Sequence, residues 1–214
     1  MMFILMKCVL AGLLAAGSGL LGCRWIDALY QKSTAILSFP DKVASQQARR
    51  PREFIPTLFL LFAFTLITMH HLHPLRLAFL LVFQYFMLLY TWTDMEQHVM
   101  FDRMMIPFAV LGVISLPVLE RVVTDHIEAA AVGGIVFLLL AIVTHGGIGG
   151  GDIKLIAVLG LWLGTDMLLT IVISGVVLAG IAAIIMLVTK KKGRQDYFAY
   201  GPYFTLSALA FTLL

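Results

Sequence analysis

Long apolar segments recur along the whole of this 214-residue chain. We count eight of them, at about residues 3–22, 54–70, 75–93, 104–119, 127–144, 153–164, 167–189 and 197–214. A helix needs about 20 mainly apolar residues to cross the bilayer core, and most of the segments approach that length. Charged residues make up only 13% of the chain, well below the usual share in water-soluble domains. The sequence therefore predicts a membrane-embedded protein with the lipid bilayer as its solvent.

The apolar segments are continuous, whereas strands of membrane barrels alternate apolar and polar side chains. We therefore predict an all-α, polytopic bundle of about eight transmembrane helices. No internal repeat divides the chain, so we treat residues 1–214 as a single integral membrane domain. The first segment has a long apolar region and is expected to remain as a span and not to be a cleaved signal. The sixth segment is too short to cross alone.

Basic residues collect on alternate loops of this arrangement. With the N-terminus outside, twelve of the fifteen fall on the inner side: Arg24, Lys32, Lys42, Arg49, Arg50, Arg52, Arg103, Lys154, Lys190, Lys191, Lys192 and Arg194. This bias predicts a multi-pass protein of the inner (cytoplasmic) membrane. Topology and anionic inner-leaflet lipid explain the net charge of +3, so no nucleic-acid partner is expected.

One long polar stretch, residues 24–53, interrupts the apolar pattern on the inner side. Its hydrophobic periodicity is weak, and it carries Asp27, Asp41 and Glu53, which solvent would hold in their charged form. One interpretation is a flexible basic cytoplasmic loop that fixes topology. The other is a surface that helps to dock a partner at the inner leaflet.

Cysteine and histidine residues give little sign of a metal site. Cys8 and Cys23 form no C-x-x-C pair. His70, His71 and His73 cluster in a short outer loop, but no carboxylate or cysteine lies near them in sequence. We interpret them as interfacial polar residues, and no metal ligand set is predicted.

Four carboxylates lie at the inner ends of predicted spans: Asp94, Glu96, Asp102 and Asp152. Ionisable groups at such positions are costly unless paired or hydrated, which makes them functional candidates. Asp152 follows "HGGIGG" and a further glycine, with five glycines in the six positions 146–151. Asp152 could simply cap a helix. Alternatively, the glycines permit unusual backbone angles or a close approach of another chain, which capping does not require.

A pair of aspartates on one membrane face indicates a specific chemistry. When two carboxyl groups share one proton, the ionised group acts as general base on water and the protonated group as general acid. The sequence alone leaves open whether Asp94 and Asp152 meet. The alternative is a transporter or ion-binding protein that uses the same two residues, and a third possibility is an assembly factor without catalytic activity.

Three motifs resemble those of one family. "GGGD" at 149–152, followed by "IKL", resembles the G-x-G-D-x-K-L stretch of the type IV prepilin peptidases, which are membrane aspartic proteases. "TDMEQHVMFDRMMIP" from Thr93 resembles their other catalytic segment, and "YGPYFTLSALA" from Tyr200 is similar to their F-G-P-F element. The motifs occur in the family's order and mark residues 90–214 as the expected catalytic region. Phe101 stands where the family usually has proline.

The resemblance implies an endopeptidase that removes the basic leader of a prepilin or pseudopilin at the cytoplasmic face, with the substrate's transmembrane helix held in the bilayer. It implies Asp94 and Asp152 as the catalytic pair. Larger members carry two zinc-binding cysteine pairs that this sequence lacks, and no cofactor is expected for proteolysis. S-adenosylmethionine is expected only if N-methylation of the new terminus is retained. The other implied residues are Gly149, Gly151, Lys154, Glu96 and Asp102, which would shape the site, and Gly201 and Pro202, which would serve packing.

Overall fold

The structure, a computed structural model, describes residues 2–189 and 199–213. Within these ranges every regular element is helical, which confirms the all-α prediction. The α-helices are α1 (Met2–Lys32), α2 (Val43–Thr68), α3 (Pro74–Gln97), α4 (Asp102–Val118), α5 (Val123–Val143), α6 (Gly150–Val188) and α7 (Gly201–Thr212). The predicted inner-loop residues Lys190, Lys191, Lys192 and Arg194 lie outside the described residues.

Five helical segments in the described part of the chain are long and apolar enough to cross a membrane: Met2–Lys32, Pro40–Thr68, Pro74–Gln97, Val123–Val143 and Gly150–Met186. With 17 and 12 residues, α4 and α7 are shorter. The predicted sixth and seventh segments both fall within α6, which is interrupted at Gly164 (φ 74°, ψ −179°). The predicted count of eight spans is therefore not confirmed, although the multi-pass character is.

Most of the polar stretch 24–53 is helical. Its first part, up to Lys32, continues α1, and its last part, from Val43, belongs to α2. Only residues 33–42 lie between the two helices, and they include two short 3₁₀ turns. The predicted flexible loop is therefore wrong over most of its length. Polar residues interrupt the apolar pattern in these helix ends, and buried polar contacts hold them in place together with the packing of Ile26, Leu29 and Tyr30.

The chain divides into two compact units, Met1–Val99 and Met100–Leu214, although its sequence is treated as one domain. In the first unit, α1 packs along α2, and α3 packs against α2. Close approach of α1 to α2 needs glycine at position 19, where an added Cβ would lie 2.8 Å from the Ile55 side chain. Farther along, Thr65 and Gln84 join α2 to α3 by buried hydrogen bonds of 2.8 and 3.0 Å.

In the second unit, α6 packs against α5, α4 and α7. Gly160 allows the α6 backbone to approach the backbone of Ala129 and Ala130 so closely that no Cβ would fit. Trp162 stacks on Phe108 with ring centroids 5.0 Å apart and donates its indole N–H to the Phe108 carbonyl at 2.9 Å. A glycine at a close backbone contact, such as Gly160, is typical of helices that associate in lipid, where close backbone packing replaces hydrophobic burial.

Candidate active site

Asp94 lies in the last turn of α3, within the first unit, and is 7% exposed. The helix ends directly after this turn because His98 adopts a left-handed conformation (φ 52°). The His98 N–H still donates to the Asp94 carbonyl at 2.9 Å. A buried carboxyl group is therefore held at a well-defined helix end.

Glu96, two residues after Asp94, lies in a buried ionic cluster. Its Oε2 accepts from Arg50 Nη2 at 2.7 Å, from Arg50 Nε at 3.2 Å and from the Tyr30 hydroxyl at 3.0 Å. Arg50 also pairs through Nη1 with Asp27. The sequence predicts that Asp27 and Arg50 lie in a hydrated loop, but Arg50 is fully buried and the Asp27 side chain is only 20% exposed. The interpretation of Glu96 as a site-shaping residue failed to identify this partner because Arg50 is 46 positions away in sequence.

Gln97 ties the end of α3 to the segment between α1 and α2. Its side chain accepts from the Phe39 N–H at 2.8 Å and donates to the Phe39 carbonyl at 2.9 Å and to Gln46 at 2.7 Å. Gln46 in turn donates to the Glu96 carbonyl at 3.0 Å. Beside these contacts is a pocket of about 330 Å³, lined by Phe39, Lys42, Ser45, Gln46, Arg49, Met95 and Glu96.

Asp152 lies in the first turn of α6, within the second unit, and is 9% exposed. The Gly149 carbonyl accepts from the N–H groups of Asp152 and Ile153, at 3.0 and 3.3 Å, and so initiates the helix. This position agrees with the prediction that Asp152 opens a helix after the glycine loop.

The glycines of this loop differ in what surrounds them. A Cβ at Gly149 would lie 3.3 Å from Asp152 Oδ2, and one at Gly151 would lie 3.0 Å from Met100 Cβ, whereas Gly150 faces open space. None of these three has a positive φ. The left-handed backbone occurs earlier, at His145 (φ 51°) and Gly146 (φ 88°), just after α5. Close contacts to an added side chain, and not left-handed backbone angles, therefore distinguish Gly149 and Gly151 from Gly150.

The structure brings two further candidate residues together in the second unit. Lys154 Nζ lies 2.6 Å from Asp102 Oδ1, so the beginning of α6 is joined to the beginning of α4. Both side chains are more than half exposed. At the start of α7, Gly201 and Pro202 are buried, and their packing role stays a prediction.

Because Asp94 and Glu96 belong to the first unit and Asp152 to the second, the pairing of the two aspartates stays a prediction.

The histidines of the predicted outer loop contact backbone groups that are close in sequence. His73 Nδ1 accepts from the Leu75 N–H at 3.3 Å, and His70 Nδ1 lies 3.0 Å from the Ile67 carbonyl. Within residues 2–189 and 199–213, no three His, Cys, Asp or Glu side chains are grouped as metal ligands would be.

Comparison with known proteins finds a family that matches part of the chain. Residues 81–184, just under half of the chain, match the type IV leader peptidase family. That range includes both Asp94 and Asp152.

Three relatives are each described as a prepilin leader peptidase/N-methyltransferase. The Bacillus subtilis (strain 168) protein is 34% identical over 73 residues, which is 34% of this chain and 29% of the relative. The Neisseria gonorrhoeae protein is 33% identical over 133 residues (59% and 45%), and the Dichelobacter nodosus protein is 30% identical over 125 residues (56% and 44%). The matches thus span less than half the length of these relatives. No solved structure gives a significant match.

Proposed function

We propose that this chain is an aspartic endopeptidase of the inner membrane and a member of the type IV leader peptidase family, because residues 81–184 match that family. Its substrates are the leaders of type IV prepilins or pseudopilins, cut at the cytoplasmic face while the substrate's own helix lies in the bilayer. The distribution of basic residues supports this orientation, since Arg103 and Lys154 near the two aspartates lie on the side that collects positive charge.

One observation carries the proposal: the matched region contains two aspartates that are both buried at helix ends. Asp94 lies in the last turn of α3 and Asp152 in the first turn of α6. An ionisable group buried in a membrane protein is costly and marks a functional site by default. The matched region buries a third carboxyl group, that of Glu96, but Glu96 is paired with Arg50, which leaves the two aspartates as the candidates for a catalytic pair.

In the proposed reaction, one aspartate is ionised and the other is protonated. The ionised carboxylate removes a proton from water as the water oxygen attacks the scissile carbonyl, and the protonated carboxyl group donates its proton to the carbonyl oxygen. The tetrahedral intermediate then collapses: the carboxyl group that took the water proton gives it to the leaving nitrogen, and the C–N bond breaks. A hydroxyl of the intermediate gives its proton to the other carboxylate, so the pair again shares one proton. No metal or covalent intermediate is required for these steps.

The test uses the chain co-expressed with prepilins and pseudopilins from its source genome. We expect Asp94→Asn and Asp152→Asn each to abolish leader removal, because an amide neither accepts the water proton nor supplies an acidic one. Product mass reports cleavage and, through the mass of one added methyl group, any N-methylation that depends on S-adenosylmethionine.

Thr65→Val, which is remote from both aspartates in sequence, serves as the control for insertion and folding. Near wild-type cleavage by either aspartate variant would remove that residue from the pair. Cleavage by both variants would favour the transport interpretation. Cysteines placed at 94 and 152 should also be joined by a short cross-linker, since a shared proton or bridging water requires the carboxyl groups to lie within about 8 Å.

A further inference from the structure

Arg50 is fully buried, although it lies in the polar stretch that the sequence predicts to be hydrated. Its guanidinium contacts two carboxylates, Glu96 at 2.7 Å and Asp27, and lies 5.1 Å from the centroid of the Tyr30 ring. The cluster therefore joins α1, α2 and α3 of the first unit through one side chain.

A buried ion pair is not in itself an efficient way to stabilise a fold. The cost of removing the charges from water often equals or exceeds their attraction, and apolar residues of similar volume can do as well. What an arginine adds is geometry, because the nitrogens of its planar guanidinium can donate to a carboxylate from two fixed positions at once. The contacts from Nη2 and Nε to the same Glu96 oxygen hold that side chain in one place.

Glu96 and Gln97 are both in the last turn of α3, directly after Asp94. Gln97 is held independently by three hydrogen bonds to Phe39 and Gln46. Successive residues of an α-helix are about 100° apart, so Glu96 is about 200° around the axis from Asp94. Because Glu96 is anchored to α1 and α2, the last turn of α3 is held against rotation about the helix axis. The direction of the Asp94 side chain, on the opposite side of that turn, is fixed as a result.

We propose that Arg50 is a positioning residue: by holding Glu96, it fixes the last turn of α3 and the direction of the Asp94 carboxyl group. The inference rests on the proposed function, in which Asp94 is catalytic. It gives the helical parts of the polar stretch 24–53 a role that is different from both a topology loop and a docking surface.

The test compares Arg50→Lys with Thr65→Val. Lysine keeps the positive charge but lacks the fork that reaches Glu96 and Asp27 together. Thr65→Val removes a buried hydroxyl that also links α2 to α3, at 2.8 and 3.0 Å from Gln84 side-chain atoms, and so controls for a general loss of stability.

For Arg50→Lys we expect kcat to fall at least about tenfold with KM within about twofold of wild type, because misdirection of a catalytic group acts on the chemical step. Amide hydrogen exchange over residues 93–98 should become faster. Thr65→Val should leave kcat within about twofold and exchange in that segment unchanged, even where its melting temperature falls equally.

If Arg50→Lys does not fold, Tyr30→Phe removes only the hydroxyl bond to Glu96, and kcat should fall about threefold with KM unchanged. Unchanged kcat in the folded variants would overturn the proposal. So would a raised KM with unchanged kcat, which indicates docking, or an equal loss of kcat in Thr65→Val.

Asp94→Asn, assayed beside these variants, separates the two proposals. Full cleavage by Asp94→Asn overturns the proposed function. In that case hydrogen exchange over residues 93–98 still decides whether Arg50 fixes the turn. Inactive Asp94→Asn together with fully active Arg50→Lys overturns the positioning role alone.

Discussion

Lys154 donates a hydrogen bond to the Asp102 carboxylate across 2.6 Å, joining the first residue of α4 to the beginning of α6. The contact connects two segments that are 52 positions apart in sequence, one following Asp94 and the other following Asp152. Exposed ion pairs contribute little to stability because water and salt screen them. This pair is therefore better suited to orienting the Asp152 segment than to holding the fold together.

Charge reversal at this pair tests the orienting role. Asp102→Lys places two positive charges together, and we expect lower cleavage with a change of less than about 1 kcal/mol in the free energy of unfolding. The exchanged pair, Asp102→Lys with Lys154→Asp, should recover cleavage. If the single and exchanged variants both cleave at the wild-type rate, Lys154 is only a topology residue of the inner face.

The glycine loop offers a series with an internal control. Gly149→Ala and Gly151→Ala should each lower cleavage at least about tenfold, about 1.4 kcal/mol of transition-state stabilisation, because a methyl group crowds Asp152 or Met100. Gly150→Ala should cleave like the wild type, since nothing lies within 4 Å of the added carbon. Cleavage rates and melting temperatures of the three variants decide the matter. Equal cleavage rates for the three variants would show that the glycines only provide a flexible connection before Asp152.

The interruption of α6 should depend on glycine at one position. Gly164 has φ 74°, and an added Cβ would collide with the Asp125 carboxylate, which accepts from the Thr165 N–H at 3.3 Å. We expect Gly164→Ala to lower the free energy of unfolding by about 1–3 kcal/mol.

Gly180→Ala, in the same helix with open space around it, is the matched control and should be neutral or stabilising by up to about 1 kcal/mol. Both are measured by melting in detergent. Equal melting temperatures for the two variants would show that the backbone at residue 164 adapts to a side chain.

Proteolysis should not depend on a metal ion. The proposed pair activates water by proton transfer between carboxyl groups, so treatment with a chelator should leave leader cleavage unchanged. Loss of cleavage that zinc restores would show that a metal ion takes part. His70, His71 and His73 would then be tested as its ligands. The control is a metal-dependent protease in the same detergent, which the chelator must inactivate.

The membrane-embedded, all-α character and the segments around Asp94 and Asp152 could be predicted from the amino-acid sequence. These follow from local properties: continuous apolar runs predict helices in lipid, and a carboxylate at the end of such a run is conspicuous because its burial is costly. The glycines before Asp152 were likewise visible, but their surroundings were not. Only the folded chain puts Met100 against Gly151 and leaves Gly150 in open space.

The burial of the polar residues in the stretch 24–53 depends on contacts between helices that are distant in sequence. In the sequence, Arg50 is one basic residue among several. In the structure it is buried, because Asp27 of α1 and Glu96 of α3 contact it on α2. The sequence did not reveal the helical ends of α1 and α2, since polar residues interrupt the apolar pattern there and the buried ionic contacts add to the packing of Ile26, Leu29 and Tyr30. The break in α6 at Gly164 falls where the sequence predicts the sixth segment to end, but the position of Asp125, 39 residues away, beside that glycine depends on the fold.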